Sequence, residues 1–146
     1  MSKIMKIVDF IKTYPNLNTN DVFVDFANDD TNNYSVSPAG TVIVERIPDV
    51  LGKEIIKMQY NCLILIRRNF IEGLNSLSNA EFIESLQDWV IEQNYLRTTP
   101  TFGDDKEREF VYASNGQLLE IYNDSTTALY SIQIAVNYEK HYQYID

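Results

Sequence analysis

The chain has 146 residues, 45% of them apolar, which is the size of one domain, residues 1–146, with a sizeable core. Its formal net charge is −9, and the acids are spread along the chain, which argues against a basic nucleic-acid-binding face. No stretch reaches the roughly 18 uncharged apolar residues of a membrane span. The single cysteine, Cys62, excludes an internal disulfide and a cysteine-based metal cluster, and it favours a reduced intracellular origin.

The N-terminal segment 3–13 predicts an amphipathic helix. Its apolar residues recur at spacings of three and four: Ile4, Ile7, Val8 and Ile11. Asp9 interrupts the apolar run that a signal peptide would need. Because the helix is short and carries this acid, we expect it to dock on a core rather than lie on a membrane surface.

Three strands are predicted in the first half of the chain, beginning with a short one over 22–26. Segment 34–47 contains the β-prone run 42–44, but Pro38 and Gly40 interrupt it, so the pattern predicts two short strands or a bulged edge strand. A turn follows at Pro48-Asp49.

Segment 54–68 is a second long strand, half-exposed in its first half and apolar on both faces in its second. Cys62 falls on its apolar face, with no helix start or neighbouring base to activate the thiol. We therefore interpret it as a core residue rather than a nucleophile.

The second helix is predicted over 79–95, opened by a capping box from Ser78 to Glu81. Its apolar positions follow at helical spacing: Phe82, Ile83, Leu86, Trp89 and Val90. We expect this face to pack on a sheet.

A loop is expected over 97–109, and β-character resumes at 110–112. Asn115-Gly116 predicts a tight hairpin leading into 118–122, since this dipeptide suits the turns that join antiparallel strands.

The last strand, 126–144, alternates almost strictly. We expect one face to cover the core and the other to meet water or a partner. The two faces are Tyr130, Ile132, Ile134, Val136 and Tyr138 on the first, and Ser131, Gln133, Ala135, Asn137 and Glu139 on the second. Together the elements predict the α+β class: a single, mostly antiparallel β-sheet packed by two main helices.

Residues with catalytic or ligand-binding patterns are not found in the sequence, so no catalytic, cofactor-binding or metal residue is assigned and we expect a protein that is not an enzyme. His141 lies at the end of the last strand and is interpreted as a surface residue. Asp29 and Asp30 lack the spacing of a calcium loop. Three tyrosines could form a stacking face for a sugar or a base, although core and interface roles are favoured: Tyr138, Tyr142 and Tyr144.

Two segments resemble phage tail terminators, also described as minor capsid proteins of long-tailed phages. EFIESLQDWVIEQN (81–94) resembles the middle helix of that family, and TALYSIQIAVNYEK (127–140) resembles its last strand. The strand ending in Ile66-Arg67-Arg68 and the N-terminal helix occupy the matching places.

The resemblance implies a non-catalytic virion protein, made in the host cytoplasm and placed at the head–tail junction. Such proteins form a ring, normally a hexamer, that caps the tail tube, ends its polymerisation and meets the head connector. The implied partners are therefore further copies of the chain, the tail tube protein and the head connector, with DNA passing through unbound. Six copies of a chain of charge −9 carry −54, so we expect ring formation to depend on salt or divalent cations.

Two alternatives stay open from the sequence. The first is another head–tail joining or minor capsid protein acting on the head side. The second is a small soluble enzyme or ligand-binding module, which would need a deep pocket lined by convergent polar groups.

Overall fold

A computed structural model describes residues 2–15, 22–24, 33–69, 76–122 and 127–145. The elements within these ranges are, in chain order, α1 (Lys3–Lys12), β1 (Val22–Val24), β2 (Asn33–Pro48), β3 (Lys53–Asn69), α2 (Ser76–Leu96), a 3₁₀ turn (Lys106–Arg108), β4 (Phe110–Ile121) and β5 (Thr127–Gln143). The strands form one sheet in the order β1-β2-β3-β5-β4. All neighbours are antiparallel except the short parallel pair β1–β2. The predicted α+β class is thereby confirmed.

The last strand lies inside the sheet, between β3 and β4. Its pairing with β3 extends without a register shift from Thr127, opposite Asn69, to Gln143, opposite Lys53. The predicted core face is confirmed, because the side chains of all five of its residues are at most 5% exposed. The strand is thus paired on both of its sides, and its alternation is regular because one of its faces is buried.

Both helices cover the face of the sheet to which Tyr130 and Ile132 belong. Helix α1 buries Ile7, Val8, Phe10 and Ile11, as its spacing predicts. It meets α2 through aromatic rings, with the Phe10 and Trp89 centroids 5.1 Å apart. Helix α1 therefore packs on the core rather than on a membrane surface.

Helix α2 begins at Ser76, two residues before the predicted cap. The prediction of a capping box at Ser78 is wrong, because Ser78 already lies within the helix. Asn79, which is buried, instead ties the first turn to the end of β3: it donates to the Asn69 carbonyl at 2.8 Å and accepts from Arg68 Nε at 2.9 Å. The start of the helix is therefore held by a contact with β3, and not by the capping box that the prediction used.

The predicted hairpin at Asn115-Gly116 is also wrong. Segments 110–112 and 118–122 belong together in one strand, β4, which pairs with β5 along its length. Between Ser114 and Gln117 two residues of β4 face a single residue of β5, which is a β-bulge. Asn115 adopts a left-handed φ of 56° there, so the dipeptide suits a bulge for the same conformational reason that it suits a turn.

Segment 34–47 is one bulged strand, not two short ones. Register shifts fall between Pro38 and Gly40 and between Ile43 and Glu45. Gly40 takes a φ of 91°, a conformation that a residue with a side chain could not adopt there without strain. Of the predicted strand 22–26, the structure describes 22–24 as β1, while 25–26 lie outside the described residues.

The second face of β5 is more buried than predicted. Gln133 is exposed and Ala135 and Asn137 are half-buried, but Ser131 and Glu139 are buried. Ser131 is small and lies in register between Leu65 and Gln117. Glu139 is covered by the segment that precedes β4, described below.

Candidate interaction surface

The β2–β3 hairpin extends beyond the helices as an arm, residues 37–59. All residues from 38 to 51 are exposed. They include six large apolar side chains, of which Val50 is fully exposed and Leu51 is 76% exposed; the others are Val42, Ile43, Val44 and Ile47. An exposed apolar surface on an extended hairpin is typical of a protein-interaction site rather than of a solvated surface.

The tip of the arm is a defined turn. Asp49 accepts hydrogen bonds from the backbone N–H of Leu51 and of Gly52, and its own N–H donates to the Lys53 carbonyl at 2.9 Å. Gly52 takes a φ of 84°, which closes the turn. The turn predicted at Pro48-Asp49 is confirmed, and it projects Val50 and Leu51 into solvent.

A polar cluster fixes the arm at its outer end. The carboxylate of Glu54, which is buried, accepts hydrogen bonds from Arg46 Nε at 2.5 Å and from the Tyr144 hydroxyl at 2.8 Å. These bonds, with that from Arg46 the larger influence, lower the pKa of the Glu54 carboxyl. Tyr144, which directly follows β5, therefore helps to hold the arm by bonding to Glu54 on β3.

The outer edge of β2 is open along the arm. Strand β1 pairs with β2 only from Tyr34 to Val36, and among the described residues no strand pairs with it beyond that point. Pro38 and the two bulges interrupt this edge but do not cover it.

The opposite edge, β4, is closed near its start by α2. Asn94 mimics a neighbouring strand: its side chain accepts from the Val111 N–H at 2.7 Å and donates to the Val111 carbonyl at 2.8 Å. Gly116 allows the same helix to approach the bulge, since a Cβ there would lie 2.5 Å from Ile83 Cγ2. A backbone edge satisfied in this way is not available for strand addition.

Beyond β4, the edge of β5 is closed by the loop that precedes β4. The Asp104 N–H donates to the Glu139 carbonyl at 2.8 Å, and its carboxylate accepts from the His141 N–H at 2.8 Å. Gly103 must be glycine here, because a Cβ would lie 2.2 Å from the Glu139 carbonyl oxygen.

The charged run in this loop is structural. The Glu109 carboxylate, which is buried, accepts from the backbone N–H groups of Phe102 and Gly103. The Lys106 ammonium donates to the Thr99 carbonyl and hydroxyl, and desolvation lowers its pKa. These residues hold the loop against β5.

A second set of exposed apolar side chains lies on β4, the β4 patch; Tyr112 pairs opposite Ala135 on one face of the sheet, and Leu118 opposite Tyr130 on the other. It consists of Tyr112, Leu118, Leu119 and Ile121, each between 43% and 49% exposed. Beside Leu118, a groove of about 380 Å³ opens between α2 and the bulge of β4, with Ala80 and Ile83 in its wall.

A groove of about 530 Å³ lies beside the arm, with Val44, Lys57, Glu107, Arg108 and Glu139 in its wall. Three of its charged groups lie near opposite charges of their own: Lys57 near Glu45, Glu107 near Arg97 and Arg108 near Asp105, at 3.5–3.7 Å. The Glu139 carboxylate lies 3.7 Å from His141 Nε2. Side chains paired in this way do not converge on a common point. The groove therefore gives little support to the ligand-binding alternative.

The residues singled out for chemistry are dispersed. Cys62 is buried in the core, as predicted, and burial raises its pKa to about 12, so the thiol is not a nucleophile. Tyr138 is 2% exposed and cannot serve as a stacking face, whereas Tyr142 and Tyr144 are exposed. His141 is exposed on the end of β5, as predicted. Asp29 and Asp30 lie outside the described residues.

Within the described ranges, no group of three or more histidine, cysteine, aspartate or glutamate side chains is placed to hold a metal ion. No helix in the same part of the chain is long and apolar enough to cross a membrane.

The arm itself was not assigned a role from the sequence. The available signal was the unbroken run of β-branched residues at 42–44, followed by apolar residues at 47, 50 and 51 without alternation. An edge strand that is exposed on both faces gives this pattern, but so does a strand buried on both faces.

No protein-family model matches the chain, and no curated protein matches it. The class defined by the fold is an α+β domain with one mostly antiparallel sheet. The resemblance to tail terminators stays a prediction from the residues quoted above.

Proposed function

We propose that the chain is a structural protein of a long-tailed phage or prophage. In this proposal, copies of it form a ring, six in number, that caps the tail tube, ends tube polymerisation and offers a surface to the head connector. It acts without catalysis, cofactor or metal, at the head–tail junction of the virion.

The observation that carries the proposal is the exposed apolar arm. Six large apolar side chains on one projecting hairpin are unfavourable in water unless a partner covers them. The order of elements supports the same function, since a middle helix resembling that of tail terminators packs against a sheet whose inner strand resembles their last strand.

Loss of the gene tests the proposal against its nearest alternative. We expect tail tubes of uncontrolled, excessive length in electron micrographs, restored to uniform length by the wild-type chain. The Leu77→Glu variant, altered at an exposed apolar residue outside both the arm and the β4 patch, should restore length equally well. Tails of normal length beside unjoined heads would contradict the proposal and favour a joining protein on the head side.

A further inference from the structure

We propose that the groove between α2 and β4, the α2–β4 groove, binds a basic segment of a partner protein. In that segment, lysine or arginine residues flank one or two large apolar side chains. The apolar side chains enter the groove, and the positive charges lie against its acidic rim. This surface lies outside the arm, so the proposed contact does not depend on the proposed function.

The interior of the α2–β4 groove is mostly apolar. Its volume is about 380 Å³, and its wall includes four apolar residues: Ala80, Ile83, Leu118 and Tyr130. Leu118 is 45% exposed, so part of this apolar surface faces water. At Gly116 the strand touches the helix, since a Cβ there would lie 2.5 Å from Ile83 Cγ2. A groove with this lining suits apolar anchor side chains of a bound protein segment.

Neither element beside the groove carries a basic residue. Helix α2 contains four acidic residues and strand β4 contains one, Glu120, and neither contains lysine, arginine or histidine. Glu84 lies in the wall of the groove itself. The other three acids of α2 share the exposed stripe of Glu84, because they follow at spacings of three and four residues: Glu81, Asp88 and Glu92. The rim of the groove is therefore negatively charged along the helix.

The acidic stripe of α2 is not neutralised by the chain itself. None of its four carboxylates forms an ion pair with another described residue. Like charges four residues apart on a helix repel each other, as Glu84 and Asp88 do here, and Asp88 and Glu92 after them. Positive charges on a bound segment would relieve this repulsion, so the stripe and the groove favour the same partner.

Charge also decides between the possible occupants of the groove. A second copy of the chain carries −9 and is repelled by an acidic rim. The phosphates of nucleic acids and of anionic lipids are repelled for the same reason. A basic protein segment is attracted, and its apolar side chains remove Leu118 from water.

Selection from a display library of short peptides of random sequence tests the chemistry of the partner. The wild-type chain and the Ala80→Phe variant are used in parallel. Ala80 is exposed, so phenylalanine should fill the groove without changing any charge or the fold, which circular dichroism can check. We expect the peptides that only the wild type retains to combine lysine or arginine with leucine, isoleucine, phenylalanine or tryptophan.

The affinity of one selected peptide, measured by fluorescence anisotropy, separates the groove from general attraction to an acidic chain. Ala80→Phe removes space for the anchor and Glu84→Lys reverses a charge on the rim, so each should weaken binding at least about tenfold. Asp9→Lys is the matched control. It makes the same change of charge at an exposed position of α1, beside Thr98 and Pro100 in a different groove, and should bind as the wild type does. Binding to the wild type should weaken as NaCl rises from about 50 to about 300 mM.

Several results would overturn the inference. One is a selection that retains no peptide in a groove-dependent way, and another is a set of selected peptides without basic residues. Equal losses for Asp9→Lys and Glu84→Lys would indicate attraction to the net charge alone. Self-association of the wild type that Ala80→Phe abolishes would assign the groove to a second copy instead. None of these results bears on tail length, by which the proposed function is tested.

Discussion

Glu54 links the protonation of a single carboxyl to the geometry of the arm. Its hydrogen bonds to Arg46 and Tyr144 lower its pKa from the ordinary value of 4.5. Because the folded-state pKa is the lower one, the stabilisation is present above about pH 4.5 and is lost as the pH falls through the lowered pKa. The arm should therefore loosen in acid before the core does.

Amide hydrogen exchange along 43–57, followed from neutral pH into acid, measures this effect. We expect protection of the arm to fall in acid while protection around Ile132 persists. The Glu54→Gln variant should start with lower protection and lose the acid dependence. The pKa of Asp104 is also lowered, chiefly by its hydrogen bond from the His141 N–H. Asp104→Asn therefore serves as the matched control, because it also removes a carboxyl of lowered pKa. Equal acid dependence in wild type and Glu54→Gln would contradict the assignment to Glu54.

At the scale of elements, the sheet protects its edges unequally. Asn94 closes the β4 edge at Val111, and the Asp104 segment closes the edge of β5, while the arm keeps an open edge on β2. Natural sheets usually block every edge that is not used for pairing. In the proposed assembly, this open edge is the part of the sheet that we expect a partner to cover.

Replacing Asn94 tests the closure of β4. Asn94→Ala leaves the Val111 N–H and carbonyl without their side-chain partner, so we expect a loss of about 1–3 kcal/mol in the free energy of unfolding. Urea denaturation measures it. Gln133→Thr is the matched control: its side-chain oxygen accepts from the Asn115 amide at 2.9 Å on an exposed surface, so the change should stay within about 0.5 kcal/mol. A neutral Asn94→Ala variant would show that α2 does not close this edge.

How far sequence alone predicts these elements depends on whether the deciding contacts are local. The alternation of β5 and the apolar spacing of α1 are local patterns fixed by one buried face, and both are confirmed. The Asn115-Gly116 dipeptide gives only a left-handed conformation, and whether that makes a turn or a bulge is decided by β5, which pairs across it. The start of α2 depends likewise on the bond from Asn79 to the Asn69 carbonyl at the end of β3, a contact outside the helix that a capping pattern does not contain.

The interaction surface was less predictable than the fold for a related reason. Burial of an apolar strand is a property of its neighbours, and the run at 42–44 is compatible with a core strand as well as with an exposed arm. Only the positions of the helices, which end before the arm, decide between the two. The sequence does indicate that the arm has no net charge, because its acidic and basic residues are equal in number. It does not indicate that the arm projects from the sheet.

At the scale of the whole molecule, charge should control assembly. Six copies of a chain of charge −9 carry −54, and screening shortens the range of that repulsion to about 8 Å at physiological ionic strength. We expect the assembled fraction, measured by sedimentation, to rise with NaCl and to rise further with MgCl2 at equal ionic strength. An assembled fraction indifferent to both salts would contradict this prediction.

The central claim, a closed ring of copies of the chain, is tested most directly by the mass of the assembled protein in native mass spectrometry. The account predicts one closed species of six 16.9 kDa chains, obtained at the salt concentration that favours assembly. It also predicts no series of ever longer polymers, because the contact closes on itself. A monomer under all conditions, a two-fold dimer as the largest species, or an open-ended series would contradict it.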